Sequence, residues 1–206
     1  MMKFQPIELK KGSNRIEMPP VGGYVAEIKN ARIVEANSMQ RYHKLELYID
    51  ITEGEYANRF TEIWEDQKER GYDKAKFKGI FRLSLPTDGQ DNSKVERWLS
   101  NQLFCVFDSN ASGGATEYRW DGDPKSLIGK EVGINMRRKL YTYKDKDENL
   151  VDAETTEIGR LETVDDVRSG KVRKMSDNDR RDHGDNEATD GGSFEDVSKT
   201  VEVPWG

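Results

Sequence analysis

The sequence predicts an all-β domain with a minor helix, followed by a segment that cannot fold by itself. Three observations lead there. Leu45, Leu47, Ile49 and Ile51 alternate with Lys44, Glu46, Tyr48 and Asp50, the period-two signature of a half-buried strand. Residues 132–143 repeat the pattern, with Val132, Ile134, Met136, Arg138 and Leu140 on one face and Asn135, Arg137, Lys139, Tyr141 and Tyr143 on the other. One stretch, after the capping candidates Asp91, Asn92 and Ser93, spaces Val95, Trp98, Leu99 and Leu103 as a single helical stripe.

In chain order, Pro19-Pro20-Val21-Gly22-Gly23 punctuates the sequence, so residues 1–18 read as an arm before a first strand at 24–34. The strand at 44–51 follows, one face inward and the other toward solvent or ligand. Glu53-Gly54-Glu55 turns the chain, and Arg59-Phe60-Thr61-Glu62-Ile63-Trp64 reads as a third strand completing a meander. After a charged stretch, Ile80-Phe81-Arg82-Leu83-Ser84-Leu85 fits either a short strand or the start of a helical region, closed by Pro86-Thr87-Asp88-Gly89. The helix comes next, then a Gly/Ser/Asp-rich loop at 108–123, the strand at 132–143 and a last strand at 155–163. Three strands, an insertion with one helix and two further strands match a five-stranded OB-fold barrel. A sandwich needs more strands, and a Rossmann-type sheet needs helices between all of them. The expected organisation is an arm (1–18), an OB-fold domain (19–175) and a disordered acidic tail (176–206).

At 206 residues there is material for one ordinary domain, and 34% hydrophobic against 35% charged residues implies a modest core. No apolar run reaches membrane-crossing length, and Lys3, Glu8, Lys10 and Lys11 interrupt any signal-like apolar segment, so a cytoplasmic location is expected. The lone cysteine, Cys105, lies in Leu103-Phe104-Cys105-Val106-Phe107, where a small buried hydrophobe is the expected role.

Catalysis finds no residues to stand on. The sequence has no phosphate-binding loop, no H-E-x-x-H, no paired-cysteine spacing and no nucleophile elbow, and its two histidines, His43 and His183, are far apart. Glu27-Ile28-Lys29 could supply the E-x-K of a nuclease centre, but such centres also take an acid from upstream, and the first aspartate is Asp50. The plainer reading is a charged strand face. No catalytic residue, metal or cofactor is expected.

The sharpest binding signal is the face carrying Arg137, Lys139, Tyr141 and Tyr143, which offers cations for phosphates and rings on which unpaired bases stack. Tyr42, Lys44 and Tyr48, on or before the second strand, and Trp64, ending the third, could extend that platform. Arg168, Lys171, Arg173 and Lys174 add cations just before the tail. Residues 1–175 hold equal numbers of acidic and basic residues, which favours single strands, where stacking supplies affinity, over duplex, whose readers are basic overall.

From Ser176 onward nine acidic residues face three basic ones, a net of −6 that equals the charge of the whole chain. With so few apolar anchors this segment cannot offset its own chain entropy. A flexible chain of its length reaches on the order of 30 Å, far enough to compete with phosphate over its own domain or to hold its tip out to a partner. That tip is Glu202-Val203-Pro204-Trp205, followed by Gly206.

The tail resembles those of bacterial and phage single-stranded DNA-binding proteins, which are acidic and end in a proline followed by an aromatic; here Gly206 follows the aromatic and the acids are spread. The body is similar to a phage group of such proteins through Gly23-Tyr24, Leu45-Glu46-Leu47, Gly54-Glu55-Tyr56-Ala57-Asn58-Arg59 and Ile128-Gly129-Lys130-Glu131-Val132. The resemblance implies a non-enzymatic OB-fold protein that coats single-stranded DNA during phage replication and recombination, in the host cytoplasm. Its tail would recruit replication or recombination proteins, and a homo-oligomer is compatible with that role. A phage protein–protein adaptor or assembly factor without DNA binding is the alternative.

Overall fold

The computed structural model describes residues 16–37, 40–72, 74–89, 91–111 and 118–181. The chain is mostly β-sheet with a few helices. Strands β1 (Gly22–Val34), β2 (Lys44–Ile51), β3 (Ile80–Ser84), β4 (Glu131–Lys144) and β5 (Leu150–Glu162) form an antiparallel path in the order β3-β2-β1-β4-β5. A sixth strand, β6 (Asn178–Arg180), pairs parallel to β4. Helix α1 (Arg59–Glu69) follows β2, α2 (Ser93–Ser109) lies between β3 and β4, and the short α3 (Val164–Arg168) follows β5. No helix among the described residues is long and apolar enough to cross a membrane.

The expected third strand is α1. Phe60, Ile63 and Trp64 are its buried residues, spaced i, i+3 and i+4, so the helical period holds where the alternation over six residues does not. The start is built from a distance: the Asp50 carboxylate accepts from the Phe60 and Thr61 amides at 3.0 Å each and so satisfies two amides that the helix itself leaves orphaned. The count of five is restored by Ile80–Ser84, the segment readable either way, which pairs with β2 from Lys44↔Ser84 to Tyr48↔Ile80.

The inward face follows the alternation: Leu45, Leu47, Ile49, Ile51, Val132, Ile134 and Met136 are buried together. The outward face of β2 does not stay open, because every residue from Leu45 to Ile51 is buried. Asp50 is covered by the start of α1, Tyr48 by Phe77 and Glu46 by arginines of both neighbouring strands. On α2 the buried side is Gln102, Leu103, Cys105 and Val106, a stripe turned from the expected one, so Trp98 is 41% exposed.

Residues of β3 and β5 approach within 8 Å between Cα atoms, yet no ladder joins them among the described residues and the sheet is open. Helix α2 packs against both and supplies a substitute acceptor: buried Gln102 takes the Leu161 amide on its Oε1 at 2.7 Å. Cys105 donates from its thiol to Asn101 and Leu161 carbonyls, and burial first, then the Glu162 charge, pushes that thiol up to about 11. A buried structural role follows.

After α3 the chain crosses the outward side of β1, β4 and β5. Asn135 donates to the Arg173 carbonyl at 2.7 Å. Glycines make room: a Cβ at Gly23 would strike Val172, and one at Gly159 would lie 2.6 Å from Met175 Cε. The expected boundary at 175 therefore falls inside a folded strap, since Asp177 pairs with Arg138 and Asn178–Arg180 join the sheet.

Candidate nucleic-acid interface

β1 is laddered to β4 only from Gly22↔Met136 to Glu27↔Glu131, because Pro19 and Pro20 lack the amide a ladder needs. Beyond Met136, β4 continues with β5 as a ribbon from Arg137↔Glu157 to Lys144↔Leu150, flanked by β6 at Lys139 to Tyr141. The register skips one residue of β5 at Gly159, a bulge at the base of the ribbon. On the ribbon, Arg137, Lys139, Tyr141 and Tyr143 share a face, as the alternation predicts, and they lie opposite Glu157, Thr155, Ala153 and Val151.

Tyr141 and Tyr143 have ring centroids 6.3 Å apart, tilted 40°, and Tyr143 is 46% exposed. The two cations are not independent. Arg137 holds Glu157 Oε1 at 2.8 Å through Nη2, and Lys139 Nζ lies 3.7 Å from Oε2 of the same carboxylate. Asn178 donates to Glu157 at 2.7 Å, so the strap also reaches this cluster. One carboxylate is thus shared by two cations, and the register sets a third, Arg180, beside Tyr141.

The remaining sequence candidates are distributed elsewhere. Tyr48 is fully buried against Phe77, and burial, then the neighbouring Glu46 charge, pushes its phenol up to about 12. It offers no ring face to a base. Trp64 is buried on α1 with Lys68 Nζ 3.6 Å from its ring centre, rather than ending a strand. Lys44 is half-buried, donates to Ser84 Oγ at 2.7 Å, and burial with the nearby Arg82 charge holds its pKa below the usual lysine value. The Tyr42 hydroxyl donates to the Asp91 carbonyl at 3.3 Å, before α2, with Arg41 over its ring. Glu202, Val203, Pro204 and Trp205 lie outside the described residues.

Sequence reasoning missed a second cationic feature. On the outward side of β1, β2 and β3, the register sets Arg32 beside Glu46 and Glu46 beside Arg82. Both arginines bond to the one carboxylate: Arg32 Nε and Nη2 reach Oε2 at 2.9 and 2.7 Å, and Arg82 Nε reaches Oε1 at 2.7 Å. Burial would raise the Glu46 carboxyl, but the hydrogen bonds and charges of the two arginines outweigh it and hold it below the usual carboxylate range. The available signal was polar alternation on all three strands; using it required the register.

Glu27 pairs with Lys29 at 3.0 Å and sits opposite Asp50, whose two oxygens are engaged by α1. No group of three or more metal-ligating side chains occurs among the described residues. In comparisons with known proteins, no protein-family model matches the chain and no curated protein matches its sequence.

Proposed function

We propose that the protein binds single-stranded DNA without catalysing a reaction on it, coating the strand during phage replication and recombination in the host cytoplasm and recruiting partner proteins through its acidic C-terminal segment. The observation that carries this reading is the ribbon face: two neighbouring tyrosines, one well exposed, beside an arginine and a lysine that share a carboxylate. Such a surface suits bases that are already unstacked, because stacking is sequence-tolerant and the cations beside the rings can meet the strand's phosphates. The path β3-β2-β1-β4-β5 with a helix between β3 and β4 supports an OB barrel whose closure runs from β3 to β5. The test is a gel shift with oligo(dT) and a duplex of equal length, with and without magnesium. Selective retardation of oligo(dT), intact in both conditions, is expected; equal retardation of duplex, cleavage, or no retardation would refute the reading.

A further inference from the structure

The cluster of Arg32, Glu46 and Arg82 is built more tightly than a surface ion pair needs. Glu46 is 6% exposed and receives a third donor, the Tyr48 hydroxyl, at 3.1 Å, while Arg32 also lies over the Tyr48 ring at 5.5 Å. The side chains of Arg32 and Arg82 stay 44% and 47% exposed. Arg32 spends Nε and Nη2 on the carboxylate and Arg82 spends Nε, which leaves further N–H groups of each guanidinium for an outside acceptor. A guanidinium held by one carboxylate is fixed in plane, so its remaining edge meets a phosphate with little loss of rotamer freedom.

We propose that Glu46 is a positioning residue: it presets Arg32 and Arg82 as a paired clamp for the phosphodiester of a single strand. This rests on the single-stranded DNA reading and adds a backbone contact separate from the tyrosine ribbon. It also reverses the sign that simple charge counting gives. Taking a negative charge off a DNA-binding face should tighten binding, whereas losing the preset geometry weakens it.

The experiment is a fluorescence titration of the full chain with oligo(dT) at several salt concentrations, comparing the parent, Glu46→Gln, Arg32→Gln/Arg82→Gln and the triple variant. Arg32→Gln/Arg82→Gln is expected to lower the slope of log affinity against log salt by ~0.7, the value for one single-strand phosphate contact. Glu46→Gln is expected to weaken binding about threefold to tenfold in the parent through lost preorganisation. It should cause no further loss once both arginines are gone, the coupling that marks a residue acting through others. Unchanged or tighter binding by Glu46→Gln overturns the proposal, as does an equal loss in both backgrounds, which would report general damage to the fold. Should Gln at this site melt the protein, Glu46→Asp, which keeps the charge but withdraws it, carries the same comparison. A parent that fails to bind oligo(dT) removes the underlying reading itself, whereas a parent that binds while the arginine variant keeps its salt slope removes only the clamp.

Discussion

Removing both ribbon rings, Tyr141→Ala with Tyr143→Ala, separates stacking from charge. Each base–aromatic stack is worth ~1–3 kcal/mol by alanine substitution, so loss of two is worth about 2–6 kcal/mol if both rings carry a base. At about 1.4 kcal/mol per factor of ten, affinity for oligo(dT) should fall at least about thirtyfold. The fold should tolerate the change, because Tyr143 is 46% exposed and Tyr141 half-buried at the ribbon surface, away from the buried core cluster. No phosphate contact is removed, so the salt slope should match the parent's. The assay is an anisotropy titration over a salt series, with thermal melting run beside it. Affinity within twofold of the parent would take the ribbon out of the site, and a loss accompanied by a changed salt slope or a lowered melting temperature would show that the rings act through something other than stacking.

Alkaline stability should follow two phenols. Tyr24 is pushed up to about 12 by burial, then by Tyr56 and Glu55, and Tyr48 to about 12 by burial, then by Glu46. The unfolded chain then loses these protons first, so stability is retained below about pH 10 and declines toward about pH 12; a phenolate absorbance titration in which all eight tyrosines ionise together would contradict this. Truncation should depend on where the cut falls. Removing residues 182–206, which hold seven acids and one lysine, should leave oligo(dT) binding as tight or tighter and abolish partner capture. Removing residues from 176 onward should also lower the melting temperature, since it strips β6 from β4; equal melting for the two truncations would count against the strap.

Strand identity was legible wherever one face had to be apolar. β2 and β4 could be drawn from alternation alone, and the inward residues Leu45, Leu47, Ile134 and Met136 are in the core. What alternation could not give was the fate of the polar face. The burial of Asp50, Tyr48 and Glu46 depends on Phe60, Phe77, Arg32 and Arg82, groups brought in by register, by a helix that begins at Arg59 and by the segment that follows it. The segment at 59–64 was misread as a strand for a related reason: Phe60, Ile63 and Trp64 satisfy a helix, and the carboxylate that anchors its start belongs to a strand.

The candidate site divides along the same line. The ribbon face was readable because Lys139, Tyr141 and Tyr143 alternate in one strand; the arginine clamp was not, because its members sit on three. Least legible was β6, where Asn178-Asp179-Arg180 carries no strand signal. Its role follows from an edge. Once β1 stops at Gly22, β4 beyond Met136 would present unpaired backbone groups along the side away from β5, and an exposed edge invites pairing with another chain. A polar, parallel, three-residue strand covers Lys139 to Tyr141 there and ends the pairing without offering a new apolar edge. With Lys139 to Tyr141 paired on that side, this stretch of the β4 edge no longer offers another chain a template for strand addition.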